Sequence, residues 1–222
     1  MDWSQVSACI VCSTAGGEQE VAAHVRQWSG GEVVILSPDT PLPIRNGYQS
    51  PDTVGGDRLA AACAAHFLAL EHNGGRPAWA AVIDAGTAIT YDLVDNTGTY
   101  RGGNISPGLR LRLLSLHEHT AHLPLLDPTD EEIEDALSGI GHTTDTAILC
   151  GVVQGIRREM EGFIRQAQAL YPDLFVFLTG GNRFRLANTL KNRIFAADFL
   201  VLNGLELILR HSLNAHAPHL PH

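Results

Sequence analysis

Ala81-Val82-Ile83-Asp84-Ala85-Gly86-Thr87-Ala88-Ile89-Thr90-Tyr91-Asp92-Leu93-Val94 reads as a strand ending on a carboxylate, a tight Gly-Thr turn, and a second strand returning beside the first. A buried strand of this kind delivers Asp84 to the mouth of a cleft. Gly86 admits a ligand close to the backbone, and Thr87 offers a hydroxyl and an N–H. Nucleotide phosphates and their cations are commonly held in this way. An ordinary β-hairpin whose Asp caps a turn uses the same residues, so this stretch speaks more firmly for fold than for chemistry. The hairpin continues through Asp95-Asn96-Thr97-Gly98 into Thr99-Tyr100-Arg101-Gly102-Gly103 and Asn104-Ile105-Ser106-Pro107-Gly108.

Outward from this hairpin, strands and helices alternate. Ser7 to Cys12 is a short apolar strand, Glu18 to Trp28 a helix, and Glu32 to Leu36 a β-branched strand. Ser37 to Pro51 is rich in Pro, Gly and Asn and is expected to be a long loop, a length common in functional loops. Asp57 to His72 is an Ala-rich helix, and Trp79 to Asp84 is the strand that leads into the turn. Pro107 is placed to start a helix reaching about His119. Ala121 to Asp135 is expected to be a connection with a solvated acidic run, Asp130-Glu131-Glu132. In the long helix Thr144 to Ala169, Leu149, Val152, Val153, Ile156, Met160, Phe163, Ile164 and Ala167 follow the helical repeat. Leu174 to Leu178 is an apolar strand that ends in Thr179-Gly180-Gly181-Asn182 and leads into another helix. Phe199 to Leu209 is a last apolar helix. The pattern implies a mixed-sheet α/β fold.

The 222 residues carry a net charge of −9, with 45% hydrophobic and 18% charged residues. Such a chain is globular, and its acidity argues against non-specific binding to nucleic acid or anionic membrane. No apolar run reaches the length of a membrane span, and Met1-Asp2-Trp3-Ser4 lacks the basic region of a signal peptide, so a cytoplasmic setting is expected. Cys9 and Cys12 form a CxxC within an apolar strand, while Cys63 and Cys150 stand alone. All four are expected to be buried free thiols rather than zinc ligands. His211, His216, His219 and His222 lie in a segment expected to be a solvated tail.

Three further segments carry candidate chemistry. Gly55-Gly56-Asp57-Arg58 opens the Ala-rich helix. Asp57 there serves either as a helix N-cap or as a base that accepts a proton from a substrate hydroxyl. Arg58 and the helix N-terminus suit an anionic group, and Asn46 and Tyr48 on the long loop are placed to form a wall. Thr143-Thr144 heads the long helix, as a cap or as a contact. Gly180-Gly181 after a strand lets a flat ring or ribose pack on the backbone. There is no GxxxxGK[ST], GxSxG or HExxH, and no GxGxxG follows a strand.

Taken in order, these segments resemble type III pantothenate kinases. The resemblance rests on GGDR at 55–58, DAGTAITYD at 84–92, GTYRGGNISPGL at 98–109, His119-Thr120-Ala121-His122-Leu123-Pro124, TxxAIxxG at 144–151 and LTGG at 178–181. It implies an acetate-and-sugar-kinase/Hsc70/actin-like fold: two ribonuclease-H-like domains with mixed sheets and ATP between them. The corresponding division is residues 1–75, residues 76–212 and a tail over 213–222. It implies transfer of the γ-phosphate of ATP to pantothenate, giving 4'-phosphopantothenate in the first step of coenzyme A biosynthesis. By the same resemblance Asp57 is the general base, and Tyr48, Gly55, Gly56, Asp57 and Arg58 bind pantothenate. Thr144 is a further substrate contact reaching across a homodimer, with Thr143 as the alternative. Thr87, Gly180 and Gly181 sit by ATP, Asp84 holds a monovalent cation such as potassium or ammonium, and magnesium comes with ATP.

Members of that family open with a strand carrying Asp-x-Gly-Asn-Thr that wraps the ATP phosphates. Here Met1 lies only a few residues before Val6 to Cys12, so the first domain is expected to be N-terminally incomplete, with an open sheet edge and a weakened phosphate cradle. A start assigned too late, a shortened chain, and a genuine loss of the loop each produce this pattern. The last would turn the kinase into a non-catalytic protein that binds or regulates.

Overall fold

The computed structural model describes residues 5–181 and 194–216. In chain order the elements are β1 (Ala8–Val11), α1 (Glu18–Trp28), β2 (Glu32–Ile35), β3 (Arg45–Asn46), α2 (Gly56–His72), β4 (Ala80–Ala85), β5 (Ala88–Val94) and β6 (Thr99–Pro107). They continue with α3 (Leu109–Glu118), α4 (Asp130–Ala136), α5 (Thr144–Leu170), β7 (Phe175–Thr179), β8 (Ile194–Ala196) and α6 (Leu200–His216). The α/β class expected from the alternating pattern is what the chain adopts. It divides into two compact units, one of Met1–Ala80, Asp92–Gly102 and Phe199–His222, the other of Ala81–Tyr91 and Gly103–Asp198.

In the first unit β1 and β2 pair in parallel, with Ala8 opposite Glu32 and Val11 opposite Ile35. Helix α1 joins them. The long loop is more ordered than its composition suggests. Its residues Arg45 and Asn46 form β3, parallel to Thr99 and Tyr100 of β6. A 3-10 turn over Pro51–Thr53 then leads to α2. The Ala-rich sequence of α2 lets it be buried nearly all round, from Leu59 through Ala65. Its main neighbour is α6, which also touches β1. The two helix backbones approach closely because Gly204 has no side chain; a Cβ there would strike the backbone of Ala60. Helix α6 runs to His216, into the segment expected to be tail, and carries His211. His219 and His222 lie outside the described residues, as does the helix expected after Asn182.

In the second unit the strand order is β6-β5-β4-β7-β8, with β7 parallel to β8. The long helix α5 buries Leu149, Val152, Val153, Met160, Ile164 and Ala167 of the stripe its repeat predicts, together with Ile148, while Ile156 and Phe163 are half-buried. Leu113 of α3 packs on Ile148 and Val152, and Ala136 of α4 on Leu149 and Val153. Glu159 of α5 accepts hydrogen bonds from Tyr91 Oη of β5 at 2.7 Å, from the Ser106 hydroxyl of β6 and from Arg112 Nη2 of α3 at 2.5 Å. One carboxylate thus ties four elements together.

Three expectations are corrected. Pro107 does not start a helix; it ends β6, and α3 begins at Leu109 after Gly108. The Gly108 N–H donates to the Thr87 carbonyl at 2.9 Å, which carries the chain past the proline before it can coil. The acidic run is not part of a plain connection but the first turn of α4. Thr129 and Glu132 form a capping box around it, and carboxylates suit the positive end of a helix. Of the four thiols, Cys63 alone is buried; Cys9, Cys12 and Cys150 are half-buried. Burial pushes the Cys63 thiol up to about 12. Cys9 lies on a two-stranded sheet and Cys12 just past the end of β1, where the chain covers them less than the interior strand expected from their apolar setting would. No helix among the described residues is long and apolar enough to cross a membrane.

Two outcomes follow from this packing. Gly204→Val forces α6 away from α2 and is expected to destabilise the chain by about 1–3 kcal/mol, read from urea unfolding. Burial alone would raise the Glu159 carboxyl, but the bonds from Arg112, Ser106 and Tyr91 outweigh it and hold the group below its ordinary value. A depressed carboxyl stabilises the fold above the unfolded-state value of about 4.3, and that contribution is lost as pH falls through the lower folded value. Glu159→Gln is therefore expected to flatten the acid limb of stability below about pH 4. An unchanged limb in a pH series of unfolding curves would remove Glu159 from that role.

Candidate active site

The first unit gathers Tyr48, Gly55, Gly56, Asp57 and Arg58 at the start of α2. Gly55 is the N-cap and has no side chain with which to cap. Asp57 is therefore not the cap but the second residue of the helix. Its Oδ1 accepts the Arg58 N–H at 2.9 Å, and the same N–H lies 3.1 Å from the Gly55 carbonyl. Both glycines are there for close approach. A Cβ on Gly55 would stand 2.5 Å from Asp57 Oδ1, and one on Gly56 would stand 2.8 Å from Cys12 Sγ and 2.9 Å from Leu36 Cδ2. The first turn of α2 thus rests on the chain just after β1 and β2. Asp57 is half-buried. Burial, then the charges of Asp57 and Glu18, push the Cys12 thiol up and keep it neutral beside that carboxylate.

Arg58 does something that its sequence position does not announce. Its side chain is buried, and its guanidinium grips Asp92 of β5, with Nη2 2.6 Å and Nε 3.0 Å from Oδ1 and Nε 3.3 Å from Oδ2. Asp92 is itself fully buried, at 0% exposure, and also accepts the Tyr100 hydroxyl at 2.7 Å. Burial opposes the charge on Arg58, but the Asp92 carboxylate more than offsets this and raises its affinity for the proton. Burial and then the Asp92 charge drive the Tyr100 phenol well above its ordinary range, so it stays a donor. Asp92 and Tyr100 were not among the residues marked by sequence reasoning. The available signal was a lone carboxylate inside an apolar strand, which must find a partner once buried.

Tyr48 joins this group from the loop. The Gly47 N–H donates to the Tyr100 carbonyl at 3.0 Å, and the Asn46 side chain accepts the Tyr48 N–H at 3.1 Å. The ring lies 6.0 Å from that of Tyr100. Gly102 makes room for it. Its φ is +88°, and a Cβ would fall 2.7 Å from Tyr48 Cε2. Any other residue at 102 is strained and meets the ring.

The second unit places Asp84 near the end of β4 with Gly180 against it. A Cβ on Gly180 would meet Asp84 Oδ1 and the backbone of Ala85, and its φ is +89°. Gly86 is also close, since a Cβ there would lie 3.8 Å from the same oxygen. Thr87 is exposed at the turn, and Gly181 is exposed beyond Gly180. A carboxylate framed by glycine backbone is an oxygen-donor setting suited to a hard cation rather than a soft one. Elsewhere in this unit Thr143 is the N-cap of α5, its hydroxyl engaged with Thr146 at 2.9 Å. Thr144 follows it, exposed on the first turn. A cavity of about 570 Å³ opens beside them, lined by Leu126, Ile140, His142, Thr143, Thr146 and Cys150 among others.

Comparison with known proteins reads the whole chain at once. The family model described as type III pantothenate kinase matches residues 2–166. A type III pantothenate kinase of Phocaeicola vulgatus is 45% identical over 180 residues, which are 81% of this chain and 70% of the relative. That of Bacteroides fragilis is 47% identical over the same shares, and that of Porphyromonas gingivalis 39% identical over 92% of this chain and 80% of its own. A solved structure from Campylobacter jejuni, named as a Baf family transcriptional activator, covers 95% of this chain and 85% of its own length, with a TM-score of 0.61 and 20% identity, a likeness of fold alone. With the GGDR turn, the Asp84 turn and the Thr143-Thr144 helix start in place, this chain belongs to the type III pantothenate kinase family.

Proposed function

We propose that Asp57 is the base that accepts the proton from the primary hydroxyl of pantothenate as the γ-phosphoryl group of ATP is transferred to it. Membership of the family makes the chain a kinase, a phosphotransferase acting on pantothenate at the entry to coenzyme A biosynthesis. The observation that carries the assignment of roles is the held carboxylate at the start of α2. Asp57 is half-buried, oriented by the Arg58 N–H, and closely approached by the backbone of Gly55.

Phosphoryl transfer asks a protein mainly for positioning and for charge stabilisation. Tyr48, Gly55, Gly56, Asp57 and Arg58 make up the pantothenate-binding segment, with the Arg58 backbone holding the base. Thr144 adds a substrate contact, a role for which it is better placed than Thr143, whose hydroxyl serves the helix cap. Thr87, Gly180 and Gly181 sit by ATP, where the left-handed Gly180 brings backbone close to Asp84. Asp84 is the carboxylate for a monovalent cation, potassium or ammonium, and its oxygen-donor setting supports that choice. Magnesium bound with ATP would supply neutralisation of charge on its phosphates.

The same reading takes the fold as the acetate-and-sugar-kinase/Hsc70/actin type, with two ribonuclease-H-like domains. Its sequence division near residue 75 gives α6 to the second domain, while α6 packs on α2 of the first. It also takes the working protein as a cytoplasmic homodimer, to which the exposed first turn of α5 contributes Thr144.

The deciding experiment is ATP-dependent phosphorylation of pantothenate by this chain in potassium and magnesium, with calorimetric binding of pantothenate in parallel. Asp57→Asn is expected to lower kcat by about 10²-fold or more while leaving the melting temperature within a few degrees. Near-normal turnover would reduce Asp57 to a helix residue. Asp84→Asn is expected to weaken activation by potassium, and an unchanged potassium dependence would remove its role. Pantothenate binding without turnover in the unaltered chain would point instead to a binding protein on a kinase scaffold.

A further inference from the structure

We infer that Asp92 and Tyr100 are positioning residues, for the base through Arg58 and for Tyr48 through Tyr100 itself, and that the Arg58 guanidinium is a tie to β5 rather than the group that takes the substrate's carboxylate. The inference rests on the proposed role of Asp57 and adds to it a buried support.

Three buried side chains converge on one point. Asp92 and Tyr100 stand on neighbouring strands, and Arg58 reaches them from the first turn of α2. Three donor atoms lie within 3.0 Å of Asp92 Oδ1, namely Arg58 Nη2, Arg58 Nε and Tyr100 Oη. Arg58 is only 8% exposed. A guanidinium so enclosed and already paired has little left with which to clamp an incoming anion.

What Arg58 does control lies on either side of it. Its backbone N–H holds the Asp57 carboxylate, and its guanidinium holds Asp92, to which the Tyr100 hydroxyl also donates. Displacement of Arg58 from Asp92 would therefore loosen the first turn of α2 and with it the base. Tyr100 positions the aromatic wall, because its carbonyl accepts the Gly47 N–H one residue before Tyr48 and its ring lies 6.0 Å from that of Tyr48.

A buried ion pair is a poor way to add stability, since well-packed apolar residues of like volume commonly replace one without loss. It is a good way to enforce one geometry, because each charge accepts only the partner that satisfies it. That difference supplies the test.

Tyr100→Phe removes one hydroxyl from a ring with 0% exposure that no substrate can touch. The double variant Arg58→Met with Asp92→Leu removes both charges at nearly constant volume. Each is compared with the unaltered chain and with Asp57→Asn by melting temperature, by the amide resonances of Gly56, Asp57 and Tyr48 in labelled protein, and by kcat and KM for pantothenate. Both variants are expected to fold and to shift those amides. kcat is expected to fall about tenfold in Tyr100→Phe and about a hundredfold in the double variant, the size of loss that an ångström of misplacement produces, with KM for ATP unchanged.

Amides at their original positions, or kcat and KM within about twofold of the unaltered chain in a folded double variant, would overturn the inference. If the double variant does not fold, Tyr100→Phe decides alone by the same criteria. Shifted amides in a chain that never phosphorylates pantothenate would uphold the positioning and sink the kinase reading. Full activity in both variants, beside a dead Asp57→Asn, would do the reverse.

Discussion

The pairing of Arg58 with Asp92 is the constraint on which the rest of the first unit's site depends. A carboxylate at 0% exposure is intolerable unless its charge is met, so Asp92 requires a cation from elsewhere in the chain. Only a side chain long enough to leave a helix and reach the middle of a strand can supply it, and Arg58 does so in a fork geometry that suits both atoms. Once that bond forms, the first turn of α2 cannot slide or rotate. Asp57, one residue earlier, inherits its orientation from that fixed turn.

Missing side chains matter as much as those present. Gly55 makes room for the Asp57 carboxylate, Gly56 for Cys12 and Leu36, Gly102 for the ring of Tyr48, and Gly180 for Asp84. At 102 and 180 the backbone is also left-handed, so the requirement there is both space and conformation. Gly204 applies the same device to packing, bringing α6 onto Ala60. In each case a glycine marks a place where something must come closer than a Cβ permits.

Much of this was legible beforehand. The turn at Asp84 was read from an apolar run broken by Gly-Thr, and the core stripe of α5 from its repeat, because both signals lie within a few residues of one another. The helix over the GGDR segment was also legible, but not that Asp57 stands inside it rather than capping it; that depends on where Gly55 turns the chain. The capping box of α4 was present in Thr129 and Glu132 and was missed because the acidic run between them looked like a solvated surface. Pro107 was misplaced because proline suits both the first turn of a helix and the end of a strand, and the bond from Gly108 to Thr87 that decides between them spans a hairpin.

By itself, the sequence determined the order of strands and helices, the family, and the segments where chemistry resides, since each of these is written in local periodicity or in a contiguous motif. Only the tertiary structure decided that Arg58 is taken by Asp92, that Tyr48 lies over Gly102 and that α6 returns to α2. Arg58 and Asp92 are 34 positions apart. Nothing in the neighbourhood of either names the other; their meeting is set by how the chain reverses, and by the energetic demand that a charge removed from water find its counterpart.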